Sequence, residues 1–203
     1  MTRRTALHAH ARQGGTVLLV ALMFLIVITL LGLSSMKSTT LEERMAGNAR
    51  DYNIALQAAE AALRDAEADL KGSGTTVGRI VTVSSFPTNL IGGGVSGCVS
   101  GGLCIPVNEL TQLYNNSAMV NWGGNTTTIY GTYTGAAALA GVSQAPRYVL
   151  ELMQFQDGKN KDTACKSVFS QDCYYIRITA RGWGANSQTQ VTLQEVFIIA
   201  MSS

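Results

Sequence analysis

Histidine is confined to the first few residues of this chain. His8 and His10 are the only two, and both precede Gly15. If that stretch is removed, Ser-His and Cys-His catalysis are excluded, and zinc loses its commonest nitrogen ligand. Charge is also scarce, at 14% of residues against 46% hydrophobic. That balance suits neither a disordered tail nor a basic nucleic-acid-binding face. The formal net charge of +2 comes from Arg3, Arg4 and Arg12. Without them, 12 of the 15 basic residues face 13 acidic ones, a net of −1. Phosphate binding then has no electrostatic basis, and no nucleic acid is predicted as a partner. Proline is rarer still, with 3 in the chain and the first at Pro87, so nothing upstream interrupts a helix. No set of residues points to catalysis, and neither an enzyme nor a cofactor is predicted.

Cysteine, by contrast, comes in two close pairs, Cys98/Cys104 and Cys165/Cys173. An even number downstream of an export-type N-terminus predicts two disulfides formed in an oxidising compartment. A zinc site would want gaps of about two residues between its thiolates, and these gaps are wider. Three connectivities are open on sequence grounds, with the local pairs favoured. No metal is predicted. "QDGKNKDTAC" gathers Asp157, Asn160 and Asp162, but Lys159 and Lys161 sit among them, so a solvated loop is the preferred reading over calcium.

Between Arg12 and Lys37 no residue is charged. From Thr16 to Met36 a helix would be about 31 Å long, enough for a bilayer core of about 30 Å. The preceding arginines leave the N-terminus in the cytoplasm and send the remainder outward. A cleaved secretory signal ending near Gly32-Leu33-Ser34 is the competing reading. Against it, helical character continues past Lys37. Leu41, Met45, Tyr52, Leu56, Ala59, Leu63, Ala66 and Leu70 recur at helical spacing. Acids and bases, Asp65 and Asp69 among them, are read onto the opposite, solvated side. "QAAEAALRDAEADL" is strongly helix-favouring, and Lys71-Gly72 supplies a basic last turn and a stop. One helix of roughly 84 Å is therefore predicted from Thr16 to Lys71.

The run "RQGGTVLLVALMFLIVITLLGL", followed by "ERMAGNARDYNIALQAAEAALRDAE", resembles type IV minor pilins, and most closely the PilX family of pilus assembly proteins. A weaker similarity lies in "YYIRITARGWGANSQTQVTLQE". The resemblance implies a prepilin leader, residues 1–15, cut after Gly15 by a prepilin peptidase, with N-methylation of the new first residue, Thr16. Residues 16–36 would anchor the subunit in the inner membrane and later join the filament core. Residues 37–71 would form the amphipathic half of the helix, and residues 72–203 a periplasmic head. Implied partners are other minor pilins, the major pilin and the inner-membrane assembly platform.

Major pilins of this kind carry glutamate at the fifth mature residue, and this chain has Val20 there. In the family that carboxylate pairs with a neighbouring subunit's terminal amine. A subunit without it suits the start of a filament, which implies a role in initiation and a place near the tip, in support of motility or adhesion. The alternatives are a minor pseudopilin of a type II secretion system and, in another class, a membrane-tethered periplasmic binding module.

Downstream, "LIGGGVSGCVSGGLC" reads as a glycine-rich loop for a Cys98/Cys104 bridge to tie down. Tyr174, Ile176, Ile178 and Ala180 alternate with Tyr175, Arg177, Thr179 and Arg181 as strand residues do. "RYVLELMQF" and "TQVTLQEVFII" read as two more strands, with a turn over 182–187. The predicted fold class is α+β, a long N-terminal helix packed on a C-terminal antiparallel sheet, with Tyr148 and Trp183 in the core. Residues 72–145 carry no clear pattern.

Overall fold

The computed structural model describes residues 15–72, 79, 86, 97–105, 120–153, 161–162 and 173–200. One helix, α1 (Thr16–Lys71), is followed by seven strands: β1 (Gly97–Cys98), β2 (Leu103–Ile105), β3 (Thr128–Ile129), β4 (Arg147–Leu152), β5 (Lys161–Asp162), β6 (Cys173–Trp183) and β7 (Gln190–Ala200). The fold is α+β, as predicted. The chain divides into two compact units, Met1–Asn48 and Ala49–Ser203.

α1 begins where the Leu19 amide donates to the Gly15 carbonyl at 3.5 Å. It ends at Gly72, whose positive φ of 59° and amide bond to the Ala68 carbonyl (3.1 Å) close the last turn. Glycine takes that left-handed conformation at no side-chain cost, which makes it the natural stop.

In the C-terminal unit the seven strands form one sheet. Its backbone is β2–β4–β6, with β7 along the far side of β6. The β6–β7 hairpin runs in unbroken register from Cys173↔Ala200 to Trp183↔Gln190. β4 pairs antiparallel with β6 over six residues, from Arg147↔Arg181 to Leu152↔Ile176. The sheet is mixed, because β2 lies parallel to β4 through Leu103↔Leu150 and Cys104↔Glu151. β1, β2, β3 and β5 are two or three residues long. Strands that short hold no periodicity to read and exist because a longer neighbour supplies their hydrogen-bond partners.

Alternation along the strands decides the two faces. Leu103, Ile105, Tyr148, Leu150, Leu152, Tyr174, Ile176, Ile178 and Ala180 pack with Ala62, Ala66 and Leu70 of α1 in the main core. Each large aliphatic chain buried this way contributes roughly 1.5–3 kcal/mol. Tyr148 and Trp183 are buried, as predicted.

The opposite face also closes over, with Cys104, Val120 and Val149 forming a second cluster. There Glu151 takes Arg177 in a two-pronged ion pair, Nε to Oε2 at 2.8 Å and Nη2 to Oε1 at 3.2 Å. Thr179 donates to the same carboxylate, and Gln194 donates to Thr179.

The helix meets the sheet on a stripe that shares Ala59, Ala66 and Leu70 with the predicted one but is turned toward the small residues. Ala55, Ala58, Ala59, Ala62, Asp65, Ala66, Asp69 and Leu70 are buried, whereas Tyr52, Leu41 and Met45 are exposed. The reason is close approach. A Cβ at Gly182 would lie 2.3 Å from the Ala55 carbonyl oxygen and 2.4 Å from the Ala59 amide nitrogen. Backbone packs against backbone here, which only glycine and alanine allow. Leu56 and Leu63, on the flank of the contact, are half-buried.

Candidate functional site

Two features of α1 carry the functional argument: an uncovered apolar segment in the N-terminal unit, and a row of carboxylates that fastens the helix within the C-terminal unit.

From Thr16 to Ser34 every residue is exposed, and the large apolar ones range from 50% exposure at Val20 to 79% at Leu18. Apolar side chains on all sides of a helix mark a segment built for lipid or for other apolar helices, not for water. This helix is long and apolar enough to cross a membrane. Gly15 has a φ of 93°, and a Cβ there would meet nothing within 4 Å. Thr16 is the first residue of the helix, and Val20 lies one turn on.

Within the C-terminal unit three aspartates on α1 each hold a different segment. Asp51 accepts the Asn186 amide at 3.1 Å and so grips the β6–β7 turn. Hydrogen bonds from the Thr189 side chain and the Asn186 backbone hold its carboxyl below the ordinary range. Asp65 accepts the Gly131 amide at 2.8 Å and the Thr134 hydroxyl, docking the segment after β3. Asp69 accepts the Tyr148 hydroxyl at 2.9 Å and Arg79 Nη2 at 2.8 Å, both on Oδ2. Its Oδ1 is buried without a hydrogen-bond partner among the described residues. Burial raises the Asp69 carboxyl despite Arg79, and burial beside Asp69 raises the Tyr148 phenol.

Asp65 and Asp69 thus correct the sequence reading, which had them solvated. They sit among the alanines, and their partners Arg79, Gly131, Thr134 and Tyr148 come from elsewhere in the chain. The signal that could have found them is the small-residue stripe. Asp51, Ala55, Ala58, Ala62, Asp65 and Asp69 advance in steps of three and four, and alanine is what a closely packed helix presents.

Arg79 ties the anchorage to the glycine-rich region. It donates to the Gly101 carbonyl at 2.9 Å and lies over the Tyr133 ring, 4.2 Å from its centroid. Cys98 and Cys104 are disulfide-bonded and close the β1–β2 hairpin, whose turn uses Gly101 and Gly102 at φ 83° and 72°. The glycine-rich loop expected to be tied down by a Cys98/Cys104 bridge is, over residues 97–105, a bridged hairpin. Cys173 is also disulfide-bonded. Cys165, Asp157 and Asn160 lie outside the described residues, and Asp162 is in β5, paired with Cys173. No cluster of metal-ligating side chains occurs among the described residues.

Comparison with known proteins finds a match toward each end of the chain. The PilX N-terminal family matches residues 13–64, a stretch holding Gly15, Thr16, Val20 and Asp51, the first of the three anchoring aspartates. The family of type IV pilus assembly protein PilX, C-terminal part, matches residues 93–199, from the β1–β2 hairpin to the end of β7. No curated protein and no solved structure matches. Matched at both ends, the chain belongs to the PilX family of type IV pilus assembly proteins.

Proposed function

We propose that this protein is a minor pilin that helps to start the type IV pilus and is incorporated near its tip, in support of motility or adhesion. Family membership carries the pilus role, and the apolar segment with valine at position 20 carries the position. A terminal amine buried in a filament core without a counter-charge costs several kcal/mol. A subunit with glutamate at this position relieves that cost for the subunit ahead of it, and one with Val20 cannot. Such a subunit fits where nothing precedes it.

In this reading residues 1–15 are removed after Gly15 and Thr16 is methylated. Residues 16–36 hold the subunit in the inner membrane, and residues 72–203 form a periplasmic head before incorporation into the filament. A second local disulfide, Cys165–Cys173, completes the head. The partners are the prepilin peptidase, the assembly platform, other minor pilins and the major pilin. The role is structural, without catalysis.

N-terminal sequencing and intact mass, with and without the prepilin peptidase, test the processing. The expected product starts at methylated Thr16 and forms only when the peptidase is present. A chain starting at Met1 or near Ser35 would end the pilin reading. A deletion strain tests the role. Loss of surface pili supports initiation, whereas normal piliation with blocked protein secretion would assign the protein to a type II secretion system. Val20→Glu sharpens the position: it should move the subunit from the tip to sites along the filament, seen by immunogold labelling.

A further inference from the structure

A pocket of about 460 Å³ opens beside the β1–β2 hairpin. Ser100, Asn125, Thr127, Thr132, Tyr133 and Arg147 are among its lining residues. The volume is in the range of small-ligand sites, about 300–1,000 Å³. Its wall is more apolar than polar in area, with Ile129 and the Tyr133 ring among its lining, and hydroxyls and an amide are set into it.

Arg147 is its charged group. Nη1 donates to the Gly124 carbonyl at 2.6 Å and to the Thr127 hydroxyl at 3.0 Å. These bonds fix the guanidinium plane. Nε and Nη2, the edge that takes a carboxylate with two parallel bonds, hydrogen-bond no described residue, and Arg147 forms no ion pair with a described acid. The nearby carboxylate on this face of β4, Glu151, is already taken by Arg177.

A second observation concerns the neighbouring strand. Arg147 stands directly opposite Arg181 in the β4–β6 register. Arg181 is held over the Trp122 ring, 4.3 Å from its centroid, and donates to the Thr192 hydroxyl at 3.1 Å, so it is turned to its own partners and Arg147 is the cation at the pocket. Burial disfavours the charged form of Arg147. An anion at the open edge would relieve that cost.

The aromatic wall is rigid. Tyr133 carries Arg79 on one face, and Arg79 is itself fixed by Asp69 and the Gly101 carbonyl. A Cβ at Gly101 would come 2.8 Å from the Tyr133 hydroxyl, so glycine there lets the ring stand at the rim.

We propose that this pocket binds a carboxylated monosaccharide, a uronate, with Arg147 taking the carboxylate and the threonine and asparagine side chains meeting the ring hydroxyls. A simple acid would use the arginine alone, whereas a sugar acid also meets the hydroxyls and the amide and lays its C–H face on the Tyr133 ring. The site goes beyond the assembly role and does not depend on it.

The test is isothermal titration of the full chain in an amine-oxide detergent, since glycoside detergents would compete. The probes are methyl glucuronide, methyl glucoside and acetate. The expected result is saturable glucuronide binding, at least about tenfold tighter than either other probe. Arg147→Gln should weaken it by about tenfold or more, and Arg147→Lys by less, because lysine keeps the charge but loses the two-pronged geometry. Thr132→Val, at an exposed position, should weaken glucuronide binding several-fold, about threefold or more, without touching the fold. It decides the matter if Arg147→Gln does not fold. Absent glucuronide binding, or equal binding of glucoside, overturns the proposal, as does equal binding of acetate. So does unchanged affinity in the folded Arg147→Gln protein or in Thr132→Val.

Discussion

The two ends of α1 solve opposite problems with the same backbone. Upstream, Thr16–Ser34 carries leucine, isoleucine, valine and phenylalanine, and none of it is covered. Downstream, the residues buried against the sheet are mostly alanines, together with Leu70 and two aspartates. Side-chain hydrophobicity alone would rank these regions in the reverse order of burial. Bulky residues on all sides of a helix suit lipid or other apolar helices. The contact within the chain needs small ones, because the strand at Gly182 comes up to the helix backbone itself.

The sharpest test makes one substitution in both regions. Leu70 is 2% exposed and Leu25 is 64% exposed. Leu70→Ala should destabilise the C-terminal unit by about 3 kcal/mol, and Leu25→Ala by less than about 0.5 kcal/mol. Urea unfolding followed by tryptophan fluorescence reads this directly, since Trp122 and Trp183 both lie in that unit. Equal effects would break the comparison.

Next in size is Gly182→Ala, expected to cost about 2.5 kcal/mol by forcing the helix off the strand. Its φ is not in the left-handed region, so the loss measures crowding alone. A neutral outcome would mean that the alanine stripe tolerates a wider separation.

Asp69→Ala is expected to cost about 2 kcal/mol. It strands the Tyr148 hydroxyl and Arg79, but it also removes a carboxylate that burial already disfavours, which offsets part of the usual penalty. The same unfolding assay checks it.

The smallest effect is one of pH. Glu195 has a raised pKa, first from burial and then from Glu67, against the opposing pull of Lys71. A raised carboxyl binds its proton more tightly in the folded state. It therefore costs stability at neutral pH, and the cost is relieved as pH falls through its folded pKa. Asp69 acts in the same direction, whereas the lowered Asp51 contributes stability that is lost only at more acid pH. Stability should thus rise slightly between pH 7 and 5, and Glu195→Gln should flatten part of that rise. A steeper rise in the variant would contradict the assignment.

Much of the chain is legible without coordinates. An uninterrupted helix follows from the missing prolines, the charge-free run and the alanine-rich second half. β4, β6 and β7 follow from alternation over six to eleven residues. The proposed cleavage residues Gly15 and Thr16, and Val20 at the proposed fifth mature position, rest on local motif, so sequence is where they are sought. The short strands are a different matter, since two residues carry no period and β2 is parallel to a strand more than forty positions on.

What the sequence by itself determined is the set of local choices: where the chain is helical, where it is extended, and which segment can leave water for lipid. These depend on residues within a turn or two of one another. Tertiary structure alone decided which face of α1 is buried, that Asp65 and Asp69 lie inside, that Arg177 finds Glu151, and that Arg147 lines a pocket. Each of those outcomes is set by partners dozens of residues away, and the free energy of a buried charge depends on the neighbour it meets.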